Sequence, residues 1–416
     1  MYGAIGRTFL DNHARLIYAA SKAVGNALMG FQGEYPSLHS EVCINEKVAY
    51  EQALAGACAG KRTACLFTTE GLYEALDPVM SSAYTGVAGG FVVVCMKETE
   101  EDVTPLGPFA KLPTLVVAGF EELARAVRFG YTLSETYRIP VLIQTGPDMD
   151  MDEVLRFSTG TEMRVKGEIP GLGHQVSSFV KDPGRWAATP KYRYQLHKAL
   201  NEKLERIRAE FEAYPGNVKT LKGKSGVITD RYSDMDFCDD DASILFISTV
   251  YPLPSALVND FMAEMDEISV SEGPYPTIEL QIGDRRKIIS EKMGSFGRRA
   301  KPVETMYGFT VVRDTIGPAS SINLAHGMKI SEPDRKVLAV TFEDHFFHSG
   351  MAAFVNTLYN RSSYVLLILV SEKEEQIRKV LEGFGFHNSF HIEGFSEIER
   401  FYDHQDLAVL FCKGII

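Results

Sequence analysis

Short apolar, β-branched runs recur along this chain, separated by segments of helix length. TACLF (63–67), FVVVC (91–95), IPVLIQT (139–145), GVITD (226–230), SILFIST (243–249), KVLAVT (336–341), YVLLILV (364–370) and LAVLFC (407–412) are each of strand length and mostly apolar throughout. A strand with one solvated face alternates polar and apolar residues, whereas a continuous run belongs to a strand buried on both faces. Between these runs lie helical patterns. EKVAYEQALAGACAG (46–60) is rich in Ala and Leu and closes on Gly, and FEELARAVRFGYTLSETY (120–137) sets Phe120, Leu123, Val127 and Tyr131 in one stripe. Residues 192–214 predict a long amphipathic helix with Leu196, Leu200, Leu204, Ile207 and Phe211 on one face. The alternation predicts an α/β protein of doubly wound parallel sheets. YPLP (251–254) stops a strand, and YPGNVKTLKGKSG (214–226) reads as a linker.

A chain of 416 residues is longer than one hydrophobic core usually fills, so several domains are expected. The pattern divides as 1–180, a linker with a long helix at 181–222, a middle module at 223–303 and a last module at 304–416. A net charge of -12 argues against a nucleic-acid partner, which would select a basic face. The basic stretch RRKIISEKMGSFGRRAK (285–301) reads as a solvated linker. Cys43, Cys58, Cys65, Cys95, Cys238 and Cys412 form no C-x-x-C pair and sit mostly in apolar surroundings, as reduced thiols of a cytoplasmic protein do. The sequence shows no apolar segment of membrane-spanning length and no signal-peptide pattern, so neither a membrane nor a secreted location is expected.

NEKVAYEQALAGACAG (45–60), DPVMSSAYTGVAGGFVVV (77–94), KDPGRWAATP (181–190), STVYPLPSALVNDF (248–261), SSINLAHGM (320–328) and FFHSGMAAFVNTLYNRS (346–362) follow one another along the chain. In that order they resemble the large subunit of indolepyruvate:ferredoxin oxidoreductase, one of the thiamine-diphosphate-dependent 2-oxoacid:ferredoxin oxidoreductases. The resemblance implies three doubly wound modules of the thiamine-diphosphate enzyme type: a pyrimidine domain, a middle transketolase-C-like domain and a shortened diphosphate domain. It implies a coenzyme held between subunits, hence a homodimer or a heteromer with a related oxidoreductase subunit. In such enzymes a glutamate on the pyrimidine ring helps generate an ylid, which attacks a 2-oxo acid. Carbon dioxide then leaves, electrons pass through iron–sulfur clusters to ferredoxin, and the acyl group ends on coenzyme A. Glu46 falls at that glutamate, and as a carboxylic acid at a helix start it is suited to share a proton with a ring nitrogen.

The stretch VTFEDHFFHSG (340–350) departs from the family pattern. Where the family has Ile-Gly-Asp-Ser-Thr before Phe-Phe-His-Ser-Gly, this chain has Thr341, Phe342, Glu343, Asp344 and His345. Phe342 stands where a glycine lets the backbone approach the diphosphate. Glu343 replaces the Mg²⁺-binding aspartate with a longer arm, and Asp344 follows it. At the end of the next strand Ser371 stands where the family has the asparagine of Leu-Asp-Asn, and SEKEEQIRKVLEG (371–383) runs straight into a helix. SKAVGNALMG (21–30) replaces the family's Gly-Thr-Pro-Ser-Ser loop, and closely spaced cysteines for an iron–sulfur cluster are missing. The expectation is an oxidoreductase-like subunit that has lost ordinary thiamine diphosphate and Mg²⁺ contacts and serves as a silent binding or scaffold subunit. The alternative is an enzyme that still uses the coenzyme in altered form. The remaining candidates carry blander readings: His345 and His348 as a polar turn and helix start, His387 and His391 as a loop-to-strand segment, Cys43 as a buried thiol. Ser349 lacks a nucleophile elbow, and GVAGG (86–90) lacks the dinucleotide spacing.

Overall fold

The computed structural model describes residues 2–20, 38–97, 102–146, 179–186, 189–230, 241–273, 275–284, 286–289, 303–306, 308–314 and 318–413. They fall into two units, Met1–Ser295 and Phe296–Ile416. The segment 21–30 lies outside the described residues, as does most of 285–301.

The first unit begins with α1 (Tyr2–Asp11), β1 (Leu16–Ala19), β2 (His39–Val42), α2 (Glu46–Cys58), β3 (Thr63–Thr68), α3 (Thr69–Glu74), α4 (Leu76–Thr85) and β4 (Phe91–Met96). It continues through α5 (Leu106–Ala110), β5 (Thr114–Val117), α6 (Phe120–Tyr137) and β6 (Val141–Thr145). These strands lie side by side in the order β5-β6-β4-β3-β1-β2, all parallel. β4 and β6 are buried along their whole length, which is why their sequences show no polar alternation. The stripe on α6 packs inward: Phe120, Leu123, Val127 and Tyr131 are all buried. The chain passes outward from β1 to β2 and then back across β1 to β3. That reversal makes the crevice at the carboxyl ends of β1 and β3 the topological switch point, where such sheets bind ligands.

The long helix is α7 (Pro190–Glu212), which buries Leu200, Leu204, Ile207 and Phe211 and leaves Leu196 half-buried. After it come β7 (Val218–Thr220), β8 (Ser225–Thr229), β9 (Ser243–Phe246), β10 (Thr249–Tyr251), α8 (Ser255–Glu264), β11 (Glu267–Ser271) and β12 (Ile288–Ile289). A second sheet has the order β12-β11-β8-β9-β7. Two sequence readings are corrected here. Residues 214–226 are not simply a linker, because β7 pairs antiparallel with β9. All three β7 side chains are exposed, so backbone pairing and the Lys219–Glu264 ion pair at 3.0 Å place this edge strand and hydrophobic periodicity cannot reveal it. SILFIST (243–249) is not one strand. It breaks after Phe246, and β10 crosses to pair antiparallel with β5 at the edge of the first sheet. Asn217 organises the break: its Oδ1 accepts from the Ser248 N–H at 2.9 Å and the Thr249 N–H at 3.2 Å. Ser248 Oγ donates to the Val116 carbonyl at 2.7 Å.

The second unit holds β13 (Val303–Met306), β14 (Phe309–Arg313), α9 (Ser320–Ser331), β15 (Val337–Phe342), α10 (Met351–Tyr359), β16 (Val365–Val370), α11 (Glu374–Gly383), β17 (Ser389–Ile392) and β18 (Ala408–Lys413). A helical turn at Glu343–His345 and a π-turn at Phe346–Gly350 lead into α10. The sheet order is β13-β14-β15-β16-β18-β17, with β13 antiparallel and the other pairs parallel. Period-2 alternation separates two cores. Val312, Ala339, Leu366 and Ile368 pack with Ile322, Phe354 and Ile377 of α9, α10 and α11. Val311, Leu338, Val365 and Leu367 pack on the other face with Ile392 and Ile398.

The glycines of GVAGG prove to be steric necessities. Gly86 ends α4 at φ 65°, ψ -164°, a region open essentially to glycine, and a Cβ there would lie 2.3 Å from the Arg138 carbonyl oxygen. A Cβ on Gly89 would lie 2.3 Å from the Lys61 carbonyl oxygen. Gly86→Ala is therefore expected to lower unfolding free energy by about 1–3 kcal/mol, measured by urea denaturation; an unchanged midpoint would contradict this account.

Candidate functional site

Glu46 stands at the carboxyl-terminal edge of the first sheet. β2 ends at Val42, and the Asn45 side chain caps α2 by accepting from the Val48 N–H at 2.9 Å. Glu46 is thus the first residue of the helix, where the macrodipole favours a carboxylate. It is buried, and it lies so close to the first turn of α3 that a Cβ on Gly71 would meet Glu46 Oε1 at 2.2 Å. Cys95, near the end of β4, has its thiol pushed up first by burial and then by the charge of Glu46. Cys43 is pushed up to about 12 by burial, aided by Glu41. Both thiols are therefore protonated and inert at neutral pH. Glu46 thus lies at the switch-point edge, with its carboxylate beside Gly71 and within electrostatic reach of Cys95.

In the second unit, Phe342, Glu343, Asp344, His345 and Ser371 gather at the carboxyl ends of β15 and β16. The Phe342 ring does not fill the loop. It remains 44% exposed and sits edge-on to His345 with centroids 5.3 Å apart. Glu343 turns inward instead and is buried. Its Oε2 accepts from the backbone N–H groups of Ser371 at 2.9 Å, Glu372 at 3.1 Å and Lys373 at 2.8 Å, while Oε1 accepts from Ser371 Oγ at 2.5 Å. Burial works against the charge, but these hydrogen bonds prevail and hold Glu343 below the ordinary carboxylate value. Asp344 points outward, 73% exposed, and pairs with Lys373.

Asp314, just past β14, anchors a second network. It accepts from Thr341 Oγ1 at 2.6 Å and from the Ser321 N–H at 2.9 Å, and it meets His345 Nδ1 at 2.9 Å. Its carboxyl is lowered because bonds from His345, Ser321 and Thr341 outweigh the opposing burial. Ser349 Oγ donates to the Pro318 carbonyl at 2.6 Å. His345 belongs to the first helical turn and His348 to the π-turn, so the pair does not share a regular helix face. His391 Nδ1 pairs with Glu374 at 2.8 Å, while His387 is exposed before β17. Among the described residues no group of three or more His, Cys, Asp or Glu side chains is placed to hold a metal ion.

Sequence reasoning missed Asp314, the N–H groups of 371–373 and a buried acid in the second sheet. Glu272, directly after β11, accepts from the N–H groups of Thr277 at 2.6 Å, Ile278 at 2.5 Å and Glu279 at 3.1 Å. Burial pushes its carboxyl up to about 7; the three backbone bonds oppose this and the charge of Asp230 adds to it. A glutamate and a turn five residues on are the only signal in the sequence, and that signal is too common to be read.

No protein-family profile matches the chain. Curated relatives do. It is 24% identical to indolepyruvate oxidoreductase subunit IorA of Pyrococcus abyssi over 80% of this chain and 67% of that protein. It is 28% identical to the subunit of the same name in Methanothermobacter thermautotrophicus over 63% and 43%. The IorA of Pyrococcus horikoshii is 22% identical over 82% and 68%. These relatives support the 2-oxoacid:ferredoxin oxidoreductase alpha-subunit family. The 2-oxoglutarate:ferredoxin oxidoreductase of Magnetococcus marinus, solved with 2-oxoglutarate, coenzyme A and succinyl-CoA bound, shares the fold. Its TM-score is 0.50 over 70% of this chain and 61% of that one, at 12% identity. This family's fold is that of the thiamine-diphosphate enzymes. The matches to its IorA members span between 40% and 68% of those proteins' own length. No helix among the described residues is long and apolar enough to cross a membrane.

Glu343→Ala removes the acceptor of four hydrogen bonds and is expected to cost about 1–3 kcal/mol in urea denaturation; a neutral substitution would show that the 371–373 turn stands without it. Glu272 binds its proton more tightly when folded than when unfolded, so its contribution favours the fold at low pH. That contribution is lost as pH rises from the ordinary value of 4.5 through about 7. Glu272→Gln should flatten this part of a stability-versus-pH curve; the same slope in both proteins would assign it to another group.

Proposed function

We propose that this chain is a catalytically silent binding or scaffold subunit of an oxidoreductase-related complex. In this reading the diphosphate and Mg²⁺ side of the ancestral site has become an internal lock. The observation that carries it is the Glu343 carboxylate, bound by Ser371 Oγ and by the N–H groups of Ser371, Glu372 and Lys373. Mg²⁺ demands near-octahedral oxygen ligands, and an anion already engaged by four donors is a poor one. Ser371 offers a hydroxyl where the family has an amide oxygen, and that hydroxyl is donated to Glu343. Phe342 adds a ring on the rim where close backbone approach needs glycine. The residues present do not fit a Mg²⁺–diphosphate, so no step is assigned to the coenzyme here. The cysteines of this sequence contain no C-x-x-C pair, and this reading gives the chain no iron–sulfur cluster.

The relatives are named as subunits, which supports a homodimer or a heteromer with a related oxidoreductase subunit as the working form. Glu46 favours a second reading, a thiamine-diphosphate-dependent 2-oxoacid (aryl pyruvate) oxidoreductase or decarboxylase with altered coenzyme contacts. Its burial at a helix start matches the acid that such chemistry places on the aminopyrimidine ring. Under this second reading Glu46 would hold or move a proton, while Glu343, Asp344, Ser371 and Phe342 would have to rearrange.

Calorimetric titration of thiamine diphosphate with Mg²⁺ into the purified chain separates the two. The silent reading expects no heat at millimolar coenzyme. Micromolar affinity that is lost in Glu46→Ala would establish the enzyme reading instead. Light scattering is expected to give a dimer or larger species; a monodisperse monomer would contradict the proposed assembly.

A further inference from the structure

The edge of the first sheet opposite Glu46 carries a different kind of site. A cleft of 330 Å³ opens before the amino ends of β4 and β6, between the ends of α4 and α6 and the face of α7. Arg138, Arg185, Lys203 and Arg206 line it, and Glu202 is the one carboxylate among its lining residues. In a chain of net charge -12 such a concentration of cations calls for a cause.

Two of the four have a structural partner. Arg185 donates to the carbonyls of Thr85 and Val87 and lies 4.2 Å from the Trp186 ring centre. Lys203 Nζ donates to the Arg138 carbonyl at 3.3 Å. Thr85 closes α4 and Arg138 caps α6, so these cations sit at the negative ends of two helices. Arg138 and Arg206 are not accounted for in this way. Both are exposed, and among the described residues neither forms an ion pair with a carboxylate. Arg138 also occupies the left-handed cap position at φ 54°, where helices most often end on glycine. The crowding has an energetic consequence: burial and the charges of Arg185 and Arg138 bring Lys203 down to about 8. Beside the cations the wall is apolar and aromatic, with Leu196, Tyr84 and Tyr137. Leu196 is the member of the α7 stripe that the core leaves half-buried.

We propose that this cleft binds a phosphorylated small organic molecule, with Arg138, Arg206 and Lys203 taking the phosphate oxygens and the tyrosine and leucine side chains taking the organic part. Guanidinium groups present paired N–H donors that match phosphate oxygens, and several cations together suit a group of more than one negative charge. The volume is in the range of small-molecule sites. The site does not include Glu46 or Glu343 and stands independently of whether the coenzyme binds.

The test is calorimetric titration of the full chain with inorganic pyrophosphate and, separately, with ADP. Both are run without Mg²⁺ and at about 50 mM salt, where charge pairing is little screened. At least one probe should bind with one site per chain, and the double substitution Arg138→Ser with Arg206→Ser should weaken it by about tenfold or more. Both arginines are exposed, so the double variant should keep the wild-type thermal midpoint. Glu46→Ala and Glu343→Ala should leave probe binding unchanged, which keeps this result separate from the thiamine diphosphate titration. Occupancy should also raise the Lys203 pKa, read by NMR of labelled lysine. No binding of either probe at millimolar concentration would overturn the proposal, as would binding that the double variant leaves intact.

Discussion

One carboxylate determines what the second unit can do. A glutamate at the end of β15 is long enough to cross to the turn after β16, and its oxygens take the N–H groups of Ser371, Glu372 and Lys373, which lead into α11. Successive N–H groups of such a turn form an anion-binding concavity, a feature by which many folds hold phosphate. Here the chain satisfies them itself. Once Glu343 is committed, Ser371 is committed with it, and Asp344 is left to pair with Lys373 at the surface. The Asp314 network beside it ties β14, α9 and β15 together by the same means, a buried acid whose charge is retained because donors surround it.

Much of this architecture was legible in the sequence, because burial on both faces leaves an unmistakable trace. FVVVC, YVLLILV and LAVLFC are strands within a residue of where their apolar runs place them, and the stripes on α6 and α7 pack as their spacing requires. What escaped was set by contacts that carry no periodicity. β7 is short and exposed along its length, placed by backbone pairing with β9 and by the Lys219–Glu264 ion pair. The break within SILFIST depends on Asn217, a residue thirty positions earlier, whose side chain takes the N–H groups at the corner. At the altered loop the Phe342 ring lies at the rim and Glu343 occupies the turn. The replacement of Gly-Asp by Phe-Glu was visible as a change of residue type; the direction in which the glutamate points was not.

The two edges of the first sheet divide its chemistry. The carboxyl edge holds a buried acid, Glu46, beside the backbone of Gly71. The amino edge holds cations at helix carboxyl ends, with apolar walls. Arg185 of KDPGRWAATP belongs to the second edge, where it reaches the carbonyls of Thr85 and Val87, around Gly86. A stretch quoted only for its likeness to a family thus has its own physical work, with Arg185 holding the glycine turn before β4.

The crossing of β10 has a consequence for how the chain is made. β5 emerges early, yet its outer edge stays open until Thr249–Tyr251 arrive, more than a hundred residues later. A nascent chain therefore carries an unpaired apolar edge for as long as the intervening segment takes to be synthesised, and such edges template aggregation. Premature termination anywhere between β6 and β10 would leave that template uncovered for good. Release of the finished polypeptide and protection from self-association are in this way tied to the same three-residue strand.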